Sequence, residues 1–424
     1  MRIAVLSRST TKHISSGGME TQLKNLVEGL ASVGANITVI TTSYSKFPTE
    51  KINKDDVEIT EKGVDYYYIG DTTPGLRPLT KWEQIFLKLG LLKRGISVEG
   101  KKNYFEESKK VFKKLHENKP FDVVISQSTI GYGVINDSDF NLPSLAIIHG
   151  TIKSEIKNRF KANKTLMNWG RFLAVDLPSM VFELYTANRK FFNKVDKVVA
   201  VSKRLKQQFA QDHPKLIQKV VVIYNGVDES KFKPSNNKYD KFTCLYIGRV
   251  DREKGVDTII EVANKLIDEK GITNIEFLII GNGIQSHIND FKTQISKYNL
   301  DSVVKMLGPK RNDELIEFYQ KSHLFIFPTR REEGHPMTIS EAFCSGLPVI
   351  ATKKGGLVEL IDNNLNGYLV NENDVIKLSS LISLLYNDRR KLKELSENAY
   401  KKGIAQFSQK SMVQNYLSLL KSIL

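Results

Sequence analysis

Short apolar runs alternate with amphipathic stretches along the whole chain. RIAVLS (2–7) is followed by a Gly17-Gly18 turn, and Leu23, Leu26, Val27 and Leu30 then recur at helical spacing. Gly34 suits the stop of that helix, and ITVIT (37–41) reads as the second strand. Further strands are expected at FDVVIS (121–126), SLAIIH (144–149), KVVAVS (197–202) and KVVVIY (219–224). The second half repeats the scheme at TCLYIG (243–248), IEFLIIG (275–281), VVKMLG (303–308), HLFIFP (323–328) and LPVIAT (347–352), with helical segments between. Strands of parallel sheets are buried on both faces and so read as continuous apolar runs, and helices must carry the chain back between them. The pattern therefore predicts an α/β protein. At 424 residues it exceeds what one core serves, so two domains are expected. Their boundary falls near Tyr224, with the polar stretch Pro234 to Lys241 as a linker or a loop just after one. A last amphipathic segment closes the chain, and periodicity alone does not say where it packs. Open α/β sheets bind ligands at the carboxyl ends of their strands, so motifs there matter most.

The sharpest is REEGHPMTISEAFCSGLPVIAT (331–352). Glu333 sits in the loop after HLFIFP, Pro336 is placed to open a helix, and Glu341 falls near that helix's start. Free N–H groups and the positive dipole end at such a start favour an anion such as a pyrophosphate. Carboxylates are strong acceptors and suit sugar hydroxyls. The second motif is GRVDREKG (248–255), where Arg249 and Lys254 leave a strand end together. Cations there would stabilise a departing diphosphate more in the transition state than in the ground state. A charge-rich solvated turn is the competing reading of this string by itself.

Together these strings resemble glycosyltransferase family 4, retaining enzymes of the GT-B fold. GGMETQ (17–22), HG (149–150), VSK (201–203), NGVDESKF (225–232), GNG (281–283), GGLVELI (355–361) and NGYLV (366–370) extend the resemblance over nearly the whole chain. It implies two Rossmann-like domains facing each other across a cleft: an acceptor domain, 1–223, a nucleotide-sugar domain, 224–405, and a C-terminal helix, 406–424, returning to the first. Carried over by position, Arg249 and Lys254 would hold the donor pyrophosphate, Glu341 the ribose hydroxyls, and Glu333 the transferred sugar. Gly17 and Gly18 would close over the donor phosphates or the acceptor. The backbone near Lys310 would face the nucleobase, and His149 would sit against the sugar. Gly334, His335, Pro336, Met337 and Thr338 complete the donor-binding set, and His149, Arg249, Lys254 and Glu333 are the catalytic candidates. His335 stands where the family commonly has an aromatic residue, which leaves the donor sugar open. The resemblance further implies transfer of a sugar from a nucleotide-diphosphate sugar, and the basic first half points to a saccharide or lipid-linked acceptor in cell-envelope or polysaccharide biosynthesis. No cofactor and no metal are expected. A nucleotide-sugar epimerase of the same fold and a non-catalytic binding protein remain the alternatives.

Composition narrows the rest. Cys244 and Cys344 each lie inside an apolar run and read as reduced core residues, too few for a metal site. GxGxxG is absent where the first helix begins, which weakens a dehydrogenase reading, and DSD (137–139) reads as a surface turn. MRIAVLS lacks a cleavage region, and no apolar run approaches spanning length; the best, near Leu173 to Ala187, contains Asp176 and Glu183. A cytoplasmic protein is expected. The formal charge of +16 is concentrated early: 37 Lys+Arg against 24 Asp+Glu through Lys233, then 26 against 23. Solubility and a functional basic surface both account for that excess. LTKWEQIFLKLGLLKR (79–94) and IKSEIKNRFKANKTLMNWGRF (152–172) interleave basic and apolar residues, so an anionic membrane surface is a candidate partner, against ordinary core-facing helices with solvated backs. Nucleic acid is not expected, since no binding module accompanies the charge.

Overall fold

The computed structural model describes residues 1–11, 17–42, 57–70, 72–73, 102–154, 156, 177 and 188–424. The amphipathic segment 79–94 lies outside the described residues, as does 152–172 apart from 152–154 and 156. The chain forms two compact units, Met1–Ile223 with Val413–Leu424, and Tyr224–Met412. Among the described residues no helix is long and apolar enough to cross a membrane.

In the first unit the strands are β1 (Arg2–Leu6), β2 (Asn36–Thr42), β3 (Val57–Glu61), β4 (Val64–Ile69), a short pair β5 (Thr72–Thr73) and β6 (Lys102–Asn103), β7 (Val123–Gln127), β8 (Ser144–Ile148), β9 (Lys197–Ala200) and β10 (Val220–Val222). The main sheet runs β10-β9-β8-β7-β1-β2-β4-β3, parallel except for β3 against β4. Ile3, Val5, Val39, Val123, Ile125, Leu145 and Ile147 are buried, and the apolar residues between them along the strands are buried too. Both faces are therefore covered, which explains the uninterrupted apolar runs. The β3–β4 hairpin escaped the pattern because VEITE and VDYYYI are interrupted by charges. Its turn is built on Lys62 (φ 52°) and Gly63 (φ 75°), both in the left-handed region that tight hairpins need.

The second unit holds β11 (Phe242–Ile247), β12 (Ile275–Ile280), β13 (Val304–Gly308), β14 (Leu324–Phe327), β15 (Val349–Thr352) and β16 (Gly367–Val370). All are parallel, in the order β13-β12-β11-β14-β15-β16. This is the doubly wound order, in which the direction of winding reverses between β11 and β14. Cys244 and Cys344 are free and buried in its core.

Candidate active site

Three close backbone approaches build the reversal point of the second unit. Gly281 (φ 149°) lies so near Gly248 that a Cβ on it would stand 1.8 Å from the Gly248 carbonyl oxygen. A Cβ on Gly283 would stand 2.2 Å from the Val250 carbonyl oxygen, and the Val250 N–H donates to the Asn282 carbonyl at 2.8 Å. The GNG string is thus needed for the loop after β12 to lie against the loop after β11. Gly255 (φ 75°) then lets the Arg252–Lys254 turn pack on the exit of β14, since a Cβ there would meet the Pro328 carbonyl oxygen at 2.1 Å. Asp251 caps that turn, accepting from the Lys254 N–H at 2.8 Å. The buried Tyr246 donates to the Arg249 carbonyl at 2.7 Å, holding the loop from below.

Lys254 and Glu333 meet as a direct ion pair, Nζ to Oε1 at 2.6 Å, with only 15% and 14% of their side chains exposed. The Thr329 hydroxyl donates to the same carboxylate oxygen at 3.1 Å, and the Lys254 ammonium lies 5.3 Å from the Phe327 ring centre. The backbone of Glu333 is gripped by the glycine pair 355–356: Gly356 N–H donates to its carbonyl at 2.7 Å. Arg249 is turned toward solvent, 58% exposed, 3.1 Å from Asp251 and 3.6 Å from Glu253. Glu253 also pairs with Arg331 at 2.8 Å. Arg330 is internally occupied, bonded to Asp257 at 2.7 Å, Thr258 at 3.0 Å and Asn373 at 2.6 Å.

The helix Met337–Cys344 follows, with Pro336 at its N-cap and no side chain capping it. Its first N–H groups and positive dipole end are the kind of site an anion occupies. The Thr338 hydroxyl in the first turn is buried without a partner among the described residues. Glu341, one turn on, is buried, and that burial pushes its carboxyl up to about 7. Tyr319 opposes the shift by donating to Oε2 at 2.7 Å. Gly334 continues the loop from Glu333, while Met337 is buried at the helix start. His335 is buried with its ring engaged inside the protein: Nδ1 accepts from the Asn225 N–H at 3.1 Å and Nε2 meets the Ser340 hydroxyl at 2.8 Å. Its carbonyl also accepts from the Asn225 side-chain amide at 2.9 Å, so His335 is tied into the interior at both ring and backbone. Lys310 is exposed in the loop after β13.

In the first unit the reversal lies between β1 and β7. Gly17 precedes the helix Gly18–Ser32, and its N–H donates to Glu20 Oε2 at 2.7 Å. His149 directly follows β8, and its Nε2 lies 2.9 Å from Gln127 Oε1. Gln127 in turn donates to Gln22 Oε1 at 2.9 Å. His149 is half-buried, and burial lowers its pKa to about 4, against the opposing pull of the Glu20 charge. It is a neutral imidazole at pH 7. Gln127 and Tyr319 carry no sequence signal, because each partner, His149 and Glu341, lies 22 residues away in the chain.

The chain is similar to known proteins along nearly its whole length. A family model described as Glycosyltransferase Family 4 matches residues 16–231, and one described as Glycosyl transferases group 1 matches 227–402. An uncharacterized glycosyltransferase of Methanocaldococcus jannaschii is 30% identical over 309 residues, 72% of this chain and 75% of the relative. A capsular polysaccharide biosynthesis glycosyltransferase of Staphylococcus aureus, CapM, is 26% identical over 57% of this chain and 66% of its own length. Among solved structures, Anabaena HepE in complex with UDP and glucose superposes with a TM-score of 0.69 at 18% identity, covering 99% of each chain.

Proposed function

This chain belongs to glycosyltransferase family 4 and is a glycosyltransferase with the GT-B fold, and on that premise we propose that it transfers a sugar from a nucleotide-diphosphate sugar to a saccharide or lipid-linked acceptor with retention of anomeric configuration. The observation that carries the reading is the Lys254–Glu333 pair beside the uncapped start of Met337–Cys344, at the reversal point of a doubly wound sheet. Such a place suits a ligand with one strongly anionic end and one hydroxyl-rich end. The names of the relatives support the same class: HepE was solved with UDP and glucose, and CapM is named for capsular polysaccharide biosynthesis.

In the proposed reaction the acceptor hydroxyl attacks the anomeric carbon on the face the diphosphate leaves. The bond from that carbon to the phosphate oxygen breaks as the bond to the acceptor oxygen forms. The hydroxyl proton passes to a leaving-phosphate oxygen, and the products are a glycoside and a nucleoside diphosphate. Arg249, Lys254 and the first N–H groups of Met337–Cys344 stabilise the charge that grows on the diphosphate. Glu333 orients the sugar, Glu341 accepts from the ribose, and neutral His149 contributes an uncharged hydrogen-bonding group. No step uses a metal ion, and transfer is expected to run unchanged in EDTA.

The experiment is a donor screen by thermal shift, followed by transfer assays with lipid-linked and free saccharide acceptors, product anomers being assigned by NMR. Nucleoside diphosphate release that depends on acceptor, with a retained anomer, is expected. Inverted product, or a requirement for added magnesium, would overturn the corresponding part. Consumption of donor without acceptor would favour the epimerase alternative. We further propose a cytoplasmic site of action at the inner face of the membrane. Sedimentation with vesicles of anionic lipid tests it, and absence of association at every salt concentration removes it.

A further inference from the structure

We propose that Tyr319 is a positioning residue for Glu341: its hydroxyl holds one carboxylate oxygen and thereby leaves the other, in a single orientation, for the ligand. The inference rests on the reading above, in which Glu341 meets the ribose.

Tyr319 lies on the helix Asn312–Lys321 and is fully buried. Its ring is wedged between Phe325 (centroids 5.8 Å apart, planes at 30°) and the edge-on Phe232 (5.7 Å, 74°), so the phenol cannot swing away. The hydroxyl donates to Glu341 Oε2 at 2.7 Å. A carboxylate has acceptor capacity on both oxygens, and here one is taken inside the protein. Oε1 remains, and its two lone pairs match a pair of neighbouring hydroxyls. Among the described residues no cation pairs with Glu341. The titratable groups around it are Tyr319 and Cys344, both held neutral by burial. The Tyr319 bond is therefore what favours the charged carboxylate against burial.

The same phenol joins the two ends of the site. Phe325 stacks on Phe327 (6.2 Å), whose ring lies beneath Lys254 and stacks on Tyr246 (6.2 Å), whose hydroxyl holds the Arg249 carbonyl. An aromatic floor thus runs from the groups assigned to the diphosphate to the one assigned to the ribose, with a tyrosine hydroxyl at each end.

The test measures binding of UDP, 2′-deoxy-UDP and 3′-deoxy-UDP by calorimetry from pH 5.5 to 8.5; ADP and GDP with their deoxy forms replace them if thermal shift favours another base. Wild type is expected to prefer the ribose form by about tenfold. Tyr319→Phe should lose most of that preference. Its affinity should also begin to fall at a higher pH than wild type on acidification, because losing a donor to the ionised form raises the carboxyl pKa. A Tyr319 with a merely structural role would leave both the ribose preference and the acid limb where they are. That result, with Glu341→Ala losing the preference, overturns the inference. If Glu341→Ala also keeps the preference, the underlying assignment of Glu341 fails instead. Should Tyr319→Phe not fold, 3-fluorotyrosine introduced at position 319 keeps the shape but strengthens the donor, and must move the acid limb to lower pH. An unmoved limb in that protein overturns the inference as well.

Discussion

The two units reach the same kind of place by the same architecture and furnish it with opposite chemistry. At the β11/β14 reversal the loops carry Arg249, Lys254 and Glu333, tied to Asp251, Glu253 and one another by ion pairs. At the β1/β7 reversal His149, Gln127 and Gln22 are joined by two neutral hydrogen bonds of 2.9 Å, with the Glu20 carboxylate held by the Gly17 N–H at 2.7 Å. Burial keeps His149 uncharged, whereas Lys254 and Glu333, with 15% and 14% of their side chains exposed, compensate each other as an ion pair. A charged leaving group needs fixed counter-charges near it, while a sugar face needs directional donors and acceptors without net charge.

The largest expected effect breaks the charged side. Lys254→Ala should lower turnover by roughly 100-fold or more, the scale at which one preorganised charge-stabilising group acts. It also strands the Glu333 carboxylate, so folding stability should fall by about 1–3 kcal/mol. Adding Glu333→Ala should recover part of that stability without recovering turnover. Turnover within a few-fold of wild type in Lys254→Ala would remove the diphosphate assignment.

The next effect tests the neutral side. His149→Ala should reduce kcat by about 10- to 100-fold, in the range of a positioned hydrogen-bonding or proton-handling group. Because the imidazole pKa is lowered to about 4, wild-type rates should show no His149 limb between pH 5 and 8. Gln127→Glu places a carboxylate 2.9 Å from the ring, stabilises the imidazolium and raises that pKa. A further acid limb, beside the one that Glu341 sets, should then appear inside this window, with activity falling as pH drops through the raised value. An unchanged pH profile in Gln127→Glu would mean that the His149 charge state is irrelevant to transfer.

The legible parts of this molecule are those written in contiguous residues. Strands such as β11 and β12 are buried on both faces, and their apolar runs say so directly. Lys254 and Glu333 belong to separate motifs, and the structure brings them into contact. What stayed hidden depends on distant pairing. Tyr319 lies 22 residues from Glu341, and Gln127 lies 22 from His149, with no periodicity linking either pair. β3 and β4 stay hidden because the charges in VEITE and VDYYYI interrupt the apolar run by which a buried strand is read.

The smallest expected effect on transfer concerns His335, where position in the motif and direction of the side chain disagree. The ring accepts from the buried Asn225 N–H at 3.1 Å, contacts Ser340 at 2.8 Å, and packs edge-on against Tyr224 and Phe407 at 5.5 and 5.0 Å. His335→Phe keeps the packing and removes both polar contacts, leaving a buried backbone donor without its partner. Such a loss costs about 1–3 kcal/mol. In a unit of this size that lowers Tm by roughly 2–10 °C. Transfer rates below the melting range should change by no more than about twofold, because the loop backbone on which Glu333 rides is held separately by Gly356. A ring that touched the donor sugar would give the reverse outcome, a loss of about tenfold in kcat/KM with an unshifted Tm. Measuring both quantities on one variant therefore decides whether this histidine belongs to the charged site or only to the wall behind it.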